Sequence, residues 1–113
     1  MKIINVTKNS ILAEEVIVAE TPLKRIKGLL GKKEFNRGEA IILKPCNSIH
    51  TFFMHFPIDV LFVDKQNQVI KAIPLLSPCR LTRIYFNASF AIELPCGTLE
   101  STFTSTGDII IIT

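Results

Sequence analysis

Pro57-Ile58-Asp59-Val60-Leu61-Phe62-Val63-Asp64 is the stretch of sequence that most clearly predicts the fold. Apart from Asp59, its interior is continuously apolar and rich in branched and aromatic residues, which is typical of a strand buried on both faces. A polar turn follows at residues 64–67, and residues 69–76 form a second run of strand-forming residues. The sequence therefore predicts a β-hairpin whose first strand is completely buried.

Other strands are predicted on both sides of this hairpin. They share a branched or aromatic composition, and they cover residues 2–7, 11–19, 40–43, 48–54, 88–94 and 109–112. The first two are joined at the turn signal Asn9-Ser10 and should form a hairpin. Residues 98–106 have room for a single helical turn. Because the connections are short, antiparallel pairing should dominate.

One substantial helix is predicted, near residues 22–30. Thr21 is a suitable N-cap, Pro22 suits the first helical position, and Gly31 stands where a helix normally ends. Together these elements predict a mainly β (α+β) fold. We expect a small antiparallel β-barrel or strongly curved sheet of about seven to eight strands, with the helix packed across it.

Length and composition limit the class of protein. The 113 residues suffice for one hydrophobic core, so residues 1–113 are interpreted as a single domain. With 48% hydrophobic and 20% charged residues, the chain does not belong to the disordered class. Its apolar runs are far shorter than the roughly 18 residues of a membrane span, and its first residues lack the features of a secretion signal. A cytoplasmic location is expected, with no membrane as a partner.

The cysteines agree with a reducing compartment. Cys46, Cys79 and Cys96 are odd in number and form no CxxC motif. A cytosolic chain of this size rarely relies on disulfides. Free and mostly buried thiols are therefore expected.

The charge distribution raises a nucleic-acid hypothesis. The net charge is only +3, but the segment Lys24–Arg37 holds many cations and a single acid, Glu34. A solvated helix face explains the same pattern, and Phe35 is the one aromatic residue among these cations. Nucleic-acid binding is accordingly the weaker alternative.

Several motifs stand out by their order and spacing: Thr21-Pro22, Arg25, Gly28-Leu29-Leu30, residues 49–54 and 56–64, Glu93-Leu94-Pro95-Cys96-Gly97 and Gly107-Asp108. Together they resemble the motifs of the prokaryotic domain of unknown function family 192. The resemblance covers most of the chain and implies a compact β-rich fold without an established activity. Leu30 stands where the family often has methionine, and Cys96 where alanine is usual. Cys96 is therefore a poor candidate for a shared catalytic role.

The segment from Cys46 to Asp59 holds both histidines, one cysteine, one methionine and one carboxylate. If it is extended, Cys46, His50 and Met54 are each separated by roughly 13 Å. That is too far for neighbouring members to share a metal, and too far for Cys46 and His50 to act as nucleophile and base. No metal site is predicted, and neither a cofactor nor a catalytic residue is assigned.

Five residues are the candidates for a ligand-binding site: Arg25, His50, Met54, Asp59 and Glu93. Asp59 and Glu93 stand mid-strand among apolar neighbours, where a carboxylate must be paired, hydrogen-bonded or neutral. They could form an acid/base pair, or they could be structural partners of Arg25, which borders the apolar stripe of the helix. His50 is either ligand-facing or a core histidine bound to a backbone carbonyl, and Met54 is either core or pocket lining.

The leading hypothesis is a small domain that binds a small polar or anionic ligand in a pocket around His50, Asp59 and Glu93. The alternative is a small enzyme that uses Asp59 or Glu93 with His50 as acid and base. We also expect Arg25 within salt-bridge distance of Asp59 or Glu93. The residue pattern does not identify the ligand, a reaction or the oligomeric state.

Overall fold

The computed structural model describes residues 1–21, 34–52 and 54–113. Seven strands form one sheet: β1 (Ile3–Asn5), β2 (Ser10–Ala19), β3 (Gly38–Leu43), β4 (Ile58–Val63), β5 (Val69–Leu76), β6 (Phe90–Pro95) and β7 (Ile110–Ile112). A short helix, α1 (Thr98–Ser101), follows β6. The mainly β class is confirmed, and α1 is the helical turn predicted within residues 98–106. The main helix predicted near residues 22–30 lies outside the described residues.

The strands follow the order β5-β4-β6-β3-β2-β1-β7 across the sheet. β2 and β3 run parallel, and the other paired strands are antiparallel. A parallel pair needs a connection of roughly a dozen residues or more, which residues 20–37 supply, whereas short turns produce the hairpins β1–β2 and β4–β5. The predicted dominance of antiparallel pairing and both predicted hairpins are confirmed.

The sheet curls until its two outer strands meet at one end. The amide of Val69, at the start of β5, donates to the carbonyl of Asp108 (2.8 Å), and the amide of Ile110 in β7 donates to the carbonyl of Asn67 (2.8 Å). A β-bridge between Gln68 and Ile109 joins the strands at the same place. These contacts confirm the strongly curved sheet, which forms a half-barrel.

Alternate residues of the central strands pack into two hydrophobic cores on opposite faces of the sheet. The first core includes Leu61 and Leu94, and the second core includes Val60 and Phe62. Every residue of β4 and β6 is buried. The prediction that the stretch beginning at Pro57 forms a strand buried on both faces is confirmed.

The strand predicted over residues 48–54 is wrong for the part of this segment that the structure describes. There only His50 pairs, in a single bridge with Leu81, and the amide of Met54 closes a turn on the carbonyl of Thr51 (3.3 Å). The amide of Thr51 instead donates to the carbonyl of Arg80 (2.8 Å), in the connection that follows β5. Such isolated tertiary hydrogen bonds outweigh the local preference of aromatic and branched residues for strands.

The three cysteines are free thiols, as predicted. Cys46 is half-buried, but Cys79 and Cys96 are exposed. The expectation that most of them would be buried is wrong, because Cys79 and Cys96 lie in turns beyond the ends of β5 and β6.

A thiol reagent should therefore react in two phases with the native protein. We expect Cys79 and Cys96 to react quickly and Cys46 slowly, because exposure governs access of the reagent. In denaturant without reductant, all three thiols should be counted. Cys79→Ser and Cys96→Ser should each remove one fast equivalent, and a denatured count of one thiol would instead reveal a disulfide.

Candidate functional site

Glu93 is a buried carboxyl group in the middle of β6. The residue is only 4% exposed, and its Oε1 has no hydrogen-bond partner among the residues that the structure describes. Burial raises the pKa of Glu93 from 4.5 to about 8, because the charged form is poorly solvated there. The group is therefore mostly protonated at neutral pH and can both donate and accept a hydrogen bond.

Two grooves are lined by neighbours of Glu93 in the sheet, although Glu93 itself lines neither of them. Glu93 lies on the face of the second core, because its partners across the strands are Ile41 and Val60, which both belong to that core. One groove, of about 270 Å³, reaches Ile41 from the side of β2. The other, of about 460 Å³, runs along Pro95, the next residue of β6 with the same orientation as Glu93.

The larger groove combines an apolar wall with charged groups. The rings of Phe35 and Phe56 line it, with their centroids 6.3 Å apart. Glu34 and Arg37 also line it, and the guanidinium of Arg37 donates a hydrogen bond to the hydroxyl of Ser101. A volume of about 460 Å³ lies within the range typical of small-molecule sites.

Asp59 is also fully buried, but both of its oxygens are occupied. Its Oδ1 accepts a hydrogen bond from the amide of Leu75 (3.0 Å), and its Oδ2 accepts one from the amide of Leu99 (2.9 Å). Asp59 thus ties the irregular end of β5 and the first turn of α1 to the central strand. The sequence indicated that Asp59 needs hydrogen-bond partners, and backbone amides are those partners.

Asp59 and Glu93 lie on opposite faces of the sheet. In the pairing of β4 with β6, Asp59 stands opposite Leu94 and Val60 stands opposite Glu93. Leu94 belongs to the first core and Val60 to the second. Since side chains alternate between the two faces, the two carboxyl groups do not share a pocket or form an acid/base pair.

His50 and Met54 lie in the segment before β4. The half-buried ring of His50 stacks on Phe52, with centroids 5.4 Å apart, and its Nδ1 is buried with no hydrogen-bond partner in the described part of the chain. The backbone carbonyl expected for a core histidine is therefore not found at Nδ1. Met54 is buried in the second core, on the same face of the sheet as Glu93.

Comparisons with known proteins identify the family. The model of DUF192, described as Uncharacterized ACR, matches residues 3–112. The chain belongs to the DUF192 family. A UPF0127 protein of Pyrococcus horikoshii is 35% identical over 94% of this chain and 94% of its own length. One of Thermococcus gammatolerans is 33% identical over 96% of this chain and 72% of its own.

A solved structure shares the fold of this DUF192 domain. It is the crystal structure of a protein of unknown function from Novosphingobium aromaticivorans, with a TM-score of 0.87 and 17% sequence identity. The match covers 99% of this chain and 84% of that chain. At this level of identity, the likeness concerns the fold alone. The resemblance to family 192 that the sequence motifs indicated is confirmed.

The Gly107-Asp108 motif of the DUF192 domain belongs to a buried polar network that the sequence did not indicate. Asp108 accepts hydrogen bonds from the side chains of Asn5 (2.9 Å) and Lys8 (3.0 Å) and from the amide of Ser105 (3.0 Å). Burial acts to raise the pKa of Asp108, but these hydrogen bonds and the charge of Lys8 outweigh it and lower that pKa. The network joins β1 to the turn before β7, so its role is structural.

Other predictions for the DUF192 domain fall partly outside the described residues. Arg25 is outside the described residues, and so is its predicted ion pair. Most of the basic segment Lys24–Arg37 is outside them as well. Within residues 1–21, 34–52 and 54–113, no three His, Cys, Asp or Glu side chains are grouped so that they could hold a metal ion. In the same ranges, no helix has the length and apolarity needed to cross a membrane.

Proposed function

We propose that this DUF192 domain binds a small polar or anionic ligand at the face of the sheet that carries Glu93. The observation that supports the proposal is the buried Oε1 of Glu93, which lacks a hydrogen-bond partner among the described residues. A buried polar atom without a partner costs free energy, and most such atoms in native proteins are satisfied. A bound ligand that reaches Glu93 would supply the missing hydrogen bond.

The chemistry of the site favours a ligand with an acceptor group. A protonated Glu93 donates a hydrogen bond, as a neutral carboxylic acid in an apolar site can do at neutral pH. Arg37, in the groove along Pro95, has a permanent positive charge that suits a carboxylate or phosphate, although Glu34 lines the same groove. Phe35 and Phe56 would cover the apolar part of the same ligand.

The other candidate residues take different places in this proposal. Met54 would support the site from the second core. His50 would present its Nδ1, which has no hydrogen-bond partner among the described residues, to the ligand. Arg25 remains a proposed member of the site. Asp59 is given a structural role, because both of its oxygens already accept backbone hydrogen bonds.

Titration with acetate, malonate and inorganic phosphate should reveal this binding. We expect at least one probe to shift the amide resonances of Ile41, Val60 and Cys96 in a saturable manner. Glu93→Leu should weaken that binding by roughly tenfold to a hundredfold, because it removes a hydrogen bond to a charged group. The affinity should also fall above pH 8, where Glu93 ionises and repels an anion.

Glu14→Gln is the matched control, since Glu14 is an exposed carboxylate on β2. It should leave the affinity unchanged. Saturable binding that Glu93→Leu does not affect, or the absence of binding by all three probes, would contradict the proposal.

An enzymatic role is the second candidate, and the raised pKa of Glu93 favours it. A group with a pKa near neutrality suits general acid or base catalysis, and His50 would be its counterpart in such an enzyme. Turnover with a bell-shaped pH profile, whose upper limb lies near pH 8 and disappears in Glu93→Gln, would distinguish an enzyme from a binding domain.

A further inference from the structure

The connection between β5 and β6 exposes large apolar side chains beside cations. We call residues 77–87 the 77–87 loop. Leu81 is 68% exposed, Ile84 48% and Phe86 84%. Arg80 and Arg83 are exposed beside them. The sequence contains no aspartate or glutamate from residue 65 to residue 92, although Asp64 lines a groove together with Phe86. The loop is therefore an apolar and positively charged surface.

The 77–87 loop is held in place by the body of the protein. The amide of Thr82 donates to the carbonyl of Ile49 (2.9 Å), and the amide of Tyr85 donates to the carbonyl of Asn47 (2.8 Å). The ring of Tyr85 packs on Phe62 of the second core, with centroids 4.6 Å apart. Thr82 and Tyr85 are thus fixed to the body of the protein. The exposed apolar residues lie next to them in the sequence, so the backbone that carries these side chains is held in place.

Three large exposed apolar side chains within six residues of one loop offer an interaction surface, and the neighbouring arginines limit the choice of partner. A second copy of the same loop is disfavoured, because it would bring Arg80 and Arg83 against the same cations without a carboxylate between them. A folded protein partner would need a pocket for each protruding side chain. A fluid anionic surface needs no preformed pocket, and it complements the arginines.

We propose that the 77–87 loop docks on an anionic lipid surface. Leu81, Ile84 and Phe86 enter the headgroup region, and Arg80 and Arg83 contact lipid phosphates. This peripheral contact does not involve Glu93, but it adjoins His50, which pairs with Leu81 of the loop in a β-bridge. The proposal departs from the expectation that no membrane is a partner, which rested on the lack of a membrane span and of a secretion signal.

Flotation with vesicles tests this inference. The protein should float with vesicles of phosphatidylglycerol and phosphatidylcholine in equal parts, and not with vesicles of phosphatidylcholine alone. Replacing both arginines, as Arg80→Gln with Arg83→Gln, should weaken binding about thirtyfold at low salt. Phe86→Ser should weaken it about tenfold, because a mostly exposed ring can no longer be buried in the interface.

The chain offers a matched control for each change. Phe103 is another exposed loop phenylalanine, with 75% of its surface exposed. Lys2 is an exposed cation near the beginning of the sequence, far along the chain from the 77–87 loop. Phe103→Ser and Lys2→Gln should leave vesicle binding unchanged, and circular dichroism should show that every variant is folded. Equal losses in the controls would mean unspecific charge attraction and would overturn the proposal.

The same variants also test whether a protein partner or a second copy of the chain binds the 77–87 loop instead of lipid. Binding to an acidic peptide of alternating glutamate and phenylalanine, without binding to phosphatidylglycerol vesicles, would assign the loop to a protein partner. A dimer in sedimentation that Phe86→Ser dissociates would assign it to a second copy of the chain. Either result overturns the lipid proposal.

Discussion

Asp59→Ala should lower the free energy of unfolding by about 3–5 kcal/mol, because it leaves two backbone amides without an acceptor in or beside the core. These are the amides of Leu75 and Leu99, which donate to Asp59 over 3.0 and 2.9 Å. Their loss should release both the end of β5 and the first turn of α1. Denaturant unfolding followed by circular dichroism measures the effect.

Asp64 provides a matched control for this prediction. Its Oδ1 also accepts two backbone hydrogen bonds, from the amides of Gln66 and Gln68, both 2.9 Å, but it does so in an exposed turn. Water can replace these hydrogen bonds, so Asp64→Ala should cost only about 1 kcal/mol. Equal costs for the two substitutions would show that Asp59 is not the structural tie that its contacts indicate.

The second large effect concerns the pH dependence of stability. The pKa of Glu93 is about 8 in the folded protein and 4.5 in the unfolded chain. Between these values the folded state binds the additional proton, so the free energy of unfolding decreases as pH rises from about 4.5 to about 8. At up to 1.4 kcal/mol for each pH unit, the total loss should be roughly 3–5 kcal/mol.

Glu93→Gln removes this ionisation and keeps the size of the side chain. We expect the variant to gain stability relative to the natural protein by roughly 3–5 kcal/mol as pH rises through this window. Glu14→Gln, at an exposed site, should show no such gain. Asp108 does not interfere, because its lowered pKa makes its contribution disappear only in acid, below its ordinary value of 3.8.

The same experiment tests the ion pair predicted for Arg25. If the natural protein and Glu93→Gln have the same pH dependence, Glu93 is ionised in the folded state. A cation would then have to lie beside it, and Arg25 is the cation that the sequence indicates for this role. The proposed ligand contact through a protonated Glu93 would be contradicted at the same time.

Local sequence patterns predicted the strands correctly where each strand pairs with its neighbour in the sequence. The buried strand β4, the hairpin with β5 and the hairpin of β1 with β2 were all predictable, because period, turn residues and apolar runs are local properties. The composition of residues 48–54 suits a strand, whereas the described part of this segment makes hydrogen bonds to distant residues such as Arg80. Composition does not report such contacts.

The candidate site was predictable in its members but not in its arrangement. The sequence indicated that Asp59 and Glu93 each needed a partner, since both stand among apolar neighbours. It did not indicate that backbone amides would serve Asp59, or that Oε1 of Glu93 would find no partner among the described residues. The amides of Leu75 and Leu99 can donate to Asp59 only because β5 ends irregularly and α1 begins beside β4.

The sequence by itself determined the family, the mainly β class and the burial of the central strands, because these depend on residue type and periodicity. Only the tertiary structure decided that Asp59 and Glu93 face opposite cores. That separation depends on the register of β4 against β6, in which Asp59 stands opposite Leu94. A slip of one residue would have placed the two carboxyl groups side by side on one face. The register depends on the packing of the whole sheet, so the sequence of β4 or of β6 alone does not determine it.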